Sequence, residues 1–70
     1  MADAAFKLTK LVGESSDGIE QAVRVALKTS ASRVRGQSWC QVTDIRASID
    51  DVGAVDKWQV EIEVGFKVED

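Results

Sequence analysis

The sequence predicts an α+β fold of order β-α-β-β, a three-stranded antiparallel sheet (order 1-3-2) packed on one helix. Two patterns carry most of that prediction. Residues 58–68 alternate strictly, with Trp58, Val60, Ile62, Val64, Phe66 and Val68 on one parity and Gln59, Glu61, Glu63, Gly65 and Lys67 on the other; this is the period of a strand with one dry face. Ile19, Ala22, Val23, Ala26, Leu27, Ser30 and Val34 recur at i, i+3, i+4 and i+7, the stripe of a helix that buries one side. A third observation sets the order: alternating stretches lie on both sides of the helix. A right-handed crossover makes those two strands parallel, and placing the last strand between them makes every neighbour antiparallel.

The first strand is expected over Ala5 to Val12, with Phe6, Leu8 and Val12 on one parity and Lys7, Thr9 and Leu11 on the other, as in a half-buried strand. Gly13-Glu14-Ser15-Ser16 is expected to end it. The helix is expected over residues 17–35. Asp17 with Glu20 three residues later fits a capping box, and Ser16 is a competing N-cap. Arg33 and Arg35 would then lie in the last turn, where cations suit the helix dipole, and Gly36 would follow as C′. The second strand should run from Ser38 to Asp50. Its alternation changes phase, with Cys40 and Val42 on one parity and Ile45, Ala47 and Ile49 on the other, and a β-bulge near Thr43-Asp44 reconciles the two. Asp50-Asp51-Val52-Gly53-Ala54 carries turn residues and closes a hairpin. A helix of about 19 residues is roughly 28 Å long and a strand of about 12 residues roughly 40 Å. One helix leaves part of such a sheet bare, and identical subunits are the expected cover.

Seventy residues form one domain, over 1–70, near the lower limit for a self-sufficient core. The composition, 44% hydrophobic and 30% charged, is that of a globular chain. The single cysteine forms no intrachain disulfide, whereas a secreted domain of this size usually needs several. The start, Met1-Ala2-Asp3-Ala4-Ala5, lacks the basic and apolar regions of a signal peptide, so the expected location is cytoplasmic. No apolar run is long enough for a membrane-spanning helix, and a net charge of −3 disfavours a nucleic-acid partner. The chain has no histidine. That removes imidazole bases, histidine metal ligands and Ser-His triads, and a lone cysteine removes the Cys-rich zinc patterns. The expectation is a protein that is not an enzyme.

Ser38-Trp39-Cys40-Gln41-Val42 stands apart at a strand entrance. Trp39 offers a flat, electron-rich face on a rigid element, which suits a planar aromatic ligand and suits a subunit contact equally. Trp58 shares the parity of Val60 and Ile62 and is assigned to the core. Gln59 alone reads as a solvated strand residue. Arg46 and Lys67 would hold an anion or pair with Glu61, Glu63 or Asp44; such exposed pairs contribute little. Gly13 to Gly18 reads as a plain turn and cap, and Cys40 as a small reduced packing residue.

Three stretches carry a family resemblance: Lys10-Leu-Val-Gly-Glu-Ser-Ser16, Ser38-Trp-Cys-Gln-Val42 and Trp58-Gln-Val-Glu-Ile-Glu-Val-Gly-Phe-Lys-Val-Glu69. In order, spacing and total length the chain resembles the dodecins of bacterial type, small flavin-binding proteins. The resemblance implies a hollow homododecamer that stores or sequesters flavin (FMN, riboflavin or FAD), bound in pairs at subunit interfaces. Trp39 stands where the family's tryptophan stacks on the isoalloxazine ring, and Gln59 where a glutamine bonds the pyrimidine edge. Ile45-Arg46-Ala47 matches a ligand-binding run, with Arg46 at the arginine associated with ligand phosphate. Lys67 occupies a position where bacterial members often have arginine. Some members bind coenzyme A at another interface. Ala47 replaces a usual glycine, Cys40 sits beside the key tryptophan, and the Asp51–Lys57 connection is longer than in many relatives. The alternatives are a structural oligomer without flavin, a coenzyme A-binding protein, or a flavin redox enzyme; the last lacks an evident substrate pocket.

Overall fold

A computed structural model describes residues 3–68; Met1-Ala2 at the start and Glu69 at the end of the stretches discussed above lie outside the described residues. The elements are β1 (Phe6–Ser15), α1 (Ile19–Ala31), β2 (Gln37–Ile49) and β3 (Val55–Lys67). They form a three-stranded sheet in the order β1-β3-β2 with both pairings antiparallel, as the sequence predicts. β3 is central, and its apolar parity makes the core. Val60, Ile62 and Val64 are fully buried, and Phe66 nearly so, against Ala22 and Ala26 of α1, with Leu11, Val23 and Leu27 at the margin. Each of the four β3 side chains contributes about 1.5–3 kcal/mol by leaving water. Trp58 has the expected parity but is only partly buried and stands outside this cluster. It pairs with Ser15, where β1 ends and the helix has not yet begun, so less of the chain is available to cover it.

The helix is shorter than predicted. Its N-cap is Gly18, with no side-chain cap bond, and the capping box does not form. Glu20 instead accepts two hydrogen bonds from Arg24, from Nε at 3.0 Å and Nη2 at 2.6 Å. The helix ends at Ala31 rather than at residue 35. The segment Thr29-Ser30-Ala31-Ser32 explains the stop, because hydroxyls there compete for the backbone: Thr29 Oγ1 donates to the Val25 carbonyl at 2.9 Å and Ser32 Oγ to the Thr29 carbonyl at 2.7 Å. The amides of Arg33 and Val34 both donate to the Ser30 carbonyl and turn the chain away. Arg33, Val34 and Arg35 therefore lie beyond the helix. Gly36 is not its C′ residue; with φ of 88° it makes the bend into β2.

β1 runs three residues past the predicted Val12, through Gly13. The glycine is there for close approach. A Cβ on Gly13 would fall on the Ala22 carbonyl oxygen, with Ala22 C at 2.9 Å and the Ala26 Cβ at 3.0 Å. Small residues on both sides let α1 lie almost on the strand. The face of β1 turned to the helix is that of Leu11 and Gly13; Phe6, Leu8 and Val12 face away. α1 packs on β1 and β3 and barely reaches β2, so Val42, Ile45 and Ile49 on β2 stay exposed. The hairpin turn is the predicted one, closed by Asp50 Oδ1, which accepts from the Val52 and Ala54 amides at 3.0 and 2.9 Å. Among the described residues no helix is long and apolar enough to cross a membrane.

Gly13→Ala should force α1 off the sheet and destabilise the fold by about 1–3 kcal/mol, the usual range for an overfilled contact. A urea titration of both proteins measures it.

Candidate functional site

The sheet face turned away from α1 carries the polar parity of β3, and what joins it there depends on register. β2 would present Trp39 on the same side as Gln37 if it ran as a regular strand. It does not. Gln37 pairs with Phe66, on the helix side, and Trp39 with Gly65, on the open side. Ser38 is the extra residue, and this bulge at the strand entrance turns the indole outward. A second shift lies between Val42 and Asp44, at the predicted Thr43-Asp44 position. It keeps Cys40, Val42, Ile45 and Ala47 on the helix side, and Trp39, Gln41, Asp44 and Arg46 on the open side.

Two groups result. At one end Trp39, 44% exposed, approaches Phe6 with ring centroids 6.1 Å apart and planes at 48°. Lys67 lies beside them, paired with Phe6 in register. At the other end Gln59 is flanked by Glu14 on β1 and Arg46 on β2. Six residues of β3 separate the Trp39 and Arg46 pairing positions, roughly 20 Å at the rise of a strand. Within one subunit Trp39 and Lys67 are therefore together, Arg46 and Gln59 are together, and the two pairs are apart. Ile45 joins neither, since it pairs with Val60 on the helix side.

Arg46 is engaged by carboxylates. Its Nη2 lies 3.0 Å from Asp44 Oδ2 and 3.6 Å from Glu61 Oε1. Glu61 Oε2 accepts from Thr43 Oγ1 at 2.8 Å and lies 3.8 Å from Lys10 Nζ. The Arg46 side chain is 44% exposed, so the pairs are solvent-screened and leave it able to exchange partners. Beside the Trp39 end an open groove of about 270 Å³ is lined by Leu27, Gln37, Ser38, Trp39 and Cys40. Cys40 is a free, exposed thiol, not a packed one, because α1 does not extend over β2. Among the described residues no cluster of His, Cys, Asp and Glu is arranged to hold a metal. Sequence reasoning missed Phe6 as the neighbour of Trp39. The signal was the parity of Phe6, Leu8 and Val12, an apolar row facing away from the helix.

With this geometry in place, comparison with known proteins gives one family. Residues 5–69 match the dodecin family model. The chain belongs to the dodecin family. A dodecin of Thermus thermophilus is 38% identical over 65 residues, 93% of either chain. The dodecin structure of Streptomyces coelicolor superposes with a TM-score of 0.91 at 38% identity, covering 100% of this chain and 99% of that one. The dodecin of Streptomyces davaonensis gives 0.90 at 28% identity, covering 99% and 100%. The β-α-β-β topology and the β1-β3-β2 sheet are those of the dodecin structures.

Removing one of the two carboxylates on Arg46 tests how strongly they hold it. Asp44→Asn should change stability by less than about 1 kcal/mol, as for other exposed pairs, with the difference vanishing in high salt. Urea midpoints at two salt concentrations give the answer.

Proposed function

We propose that this dodecin is a cytoplasmic flavin store, binding FMN, riboflavin or FAD without catalysis at the interfaces of a hollow homododecamer, with Trp39 stacked on the isoalloxazine ring. The observation that carries the reading is the indole itself. It is large, half-exposed, turned outward by a dedicated bulge and held against Phe6. A tryptophan placed that way is available to a planar aromatic ligand. Family membership supplies the ligand class.

The separation within the subunit supports the assembly. If one ring meets both Trp39 and a Gln59 amide, roughly 20 Å of strand requires the two from different copies. The amide supplies a donor and an acceptor, which suits an imide edge. Arg46, lying beside Gln59, would then be the cation for a ligand phosphate, exchanging Asp44 and Glu61 for it. The bare apolar surfaces agree: Phe6, Leu8 and Val12 on one side of the sheet and Val42, Ile45 and Ile49 on the other are all exposed in the single chain, and several large apolar side chains left bare on both faces are what an interface would cover.

Two measurements test the reading. Titration of oxidised riboflavin should show quenching of its emission on binding; Trp39→Ala should lose roughly 1–3 kcal/mol of affinity, as for base–aromatic stacking, and any flavin still bound should regain emission. Trp58→Phe, on the opposite face, should quench like the parent. A parent protein that neither binds nor quenches flavin ends the proposal and leaves Trp39 a subunit contact. Separately, native mass measurement should give twelve copies, and a stable monomer at micromolar concentration would refute the assembly.

A further inference from the structure

We infer that Gly65 is a positioning residue for the Trp39 indole: the missing side chain at Gly65 is the seat in which the ring is fixed for ligand stacking. The inference rests on the reading of Trp39 as the flavin platform. It is not implied by the sequence pattern, in which Gly65 is one polar-parity position of β3 among five.

A glycine inside a strand has to be explained, because it weakens the strand and offers nothing to pack. Backbone conformation does not explain this one. The glycines with positive φ are Gly18, Gly36 and Gly53; Gly65 is not among them and is an in-register strand residue, paired with Leu8 on one side and, next to the Ser38 bulge of β2, with Trp39 on the other. Any residue could adopt that backbone. The helix does not explain it either, since Gly65 alternates with the core residues Val64 and Phe66.

What occupies the space is the indole. A Cβ on Gly65 would stand 2.8 Å from Trp39 Cδ2 and closer still to Cε2 and Cζ2, and its three nearest neighbours are all atoms of that ring. Trp39 is on β2 and Phe6 on β1, with β3 between them. Two strand spacings are about 9–10 Å, yet the ring centroids are 6.1 Å apart. The indole therefore leans over β3 to reach Phe6, and it crosses at Gly65. The neighbours on that face of β3, Glu63 and Lys67, carry side chains; the gap is one residue wide.

Seating the ring on bare backbone blocks one side, and Phe6 limits its swing. The remaining side is left open in a single orientation, so little rotamer freedom is lost when a planar ligand stacks on it. An alanine at this position pushes the indole up and away from Phe6. The platform then remains present but mis-aimed.

The test couples Gly65→Ala to Trp39. Gly65→Ala should weaken riboflavin binding about tenfold, a large part of one stacking contact. In a Trp58→Phe background, where Trp39 is the sole emitter, the ligand-free protein should show a shifted Trp39 emission and reduced near-ultraviolet ellipticity. In a Trp39→Ala background Gly65→Ala should change riboflavin affinity by less than about twofold, because its effect runs through the indole. Parental emission, ellipticity and affinity in Gly65→Ala would overturn the inference. So would an equal loss with and without Trp39, which would place Gly65 against the ligand itself. If Gly65→Ala fails to fold and Gly65→Ala/Trp39→Ala folds, the steric conflict is demonstrated; if neither folds, Gly65 serves something other than the indole. Should the parent bind no flavin, the function proposed above fails, while the emission and ellipticity comparison still decides whether Gly65 seats the ring.

Discussion

The contact between Gly13 and the helix backbone at Ala22 determines where everything else can go. With no Cβ on the strand and alanines on the helix, α1 drops onto β1 and the adjacent half of β3. A helix seated so close over two strands cannot also shelter the third. The core is accordingly confined to one parity of β3 and two alanines with their neighbours. β2 hangs at the edge of the sheet with its apolar residues in water. A chain of this size gains only a modest stabilisation from burial by itself, and the arrangement leaves a large share of its apolar surface for association.

The same division into covered and uncovered surface organises the site. Trp39, Gln59, Arg46 and Lys67, the residues proposed for ligand contact, lie on the face the helix does not use; Gln59 and Lys67 get there by the regular alternation of β3, Trp39 and Arg46 through irregularities of β2. The Ser38 bulge turns Trp39 outward, and the Thr43 bulge keeps Arg46 outward after the phase changes. Each is a one-residue insertion that re-aims every side chain beyond it. The Asp44 and Glu61 carboxylates around Arg46 give this end of the sheet a pre-arranged ion cluster, while the Trp39 end is aromatic and apolar.

How much of this could be read from the residues follows from how local each signal is. β3 was legible from Trp58 onward, because those residues alternate without exception and the strand is central; its first three residues, Val55-Asp56-Lys57, were read as part of the connection. The bulge at Thr43-Asp44 was legible because apolar residues lie on both sides of it and change parity. The bulge at Ser38 was not: only Gln37 precedes it in the strand, and one polar residue establishes no phase. The helix was read too long at both ends. Val34 continued the apolar spacing by coincidence, and the hydroxyl-rich Thr29–Ser32 segment, which stops the helix, has no apolar signature. The capping box failed because the helix begins one residue later, with Gly18 as N-cap, so Glu20 is no longer the third helical residue and pairs with Arg24 instead. Trp58 was placed on the right face but too deep, since parity reports direction and not cover. Residues Trp39, Gln59, Arg46 and Lys67 were found on the open face, but their separation into two ends is a matter of register between distant strands, which no local pattern encodes.

The strand order has a consequence for how such a chain is made. β3 is the last of the elements to be synthesised and the middle one in space. While β1, α1 and β2 are already available, neither flanking strand has its hydrogen-bonding partner, because β1 and β2 each pair only with β3. The helix likewise lacks most of its core until Val60, Ile62, Val64 and Phe66 arrive. The sheet therefore closes late and all at once, with a local β2–β3 hairpin and a long-range β1–β3 pairing formed around the same strand. Until then the apolar residues of β1, α1 and β2 are exposed together, and it is during that interval, more than in the finished fold, that the chain is open to wrong association.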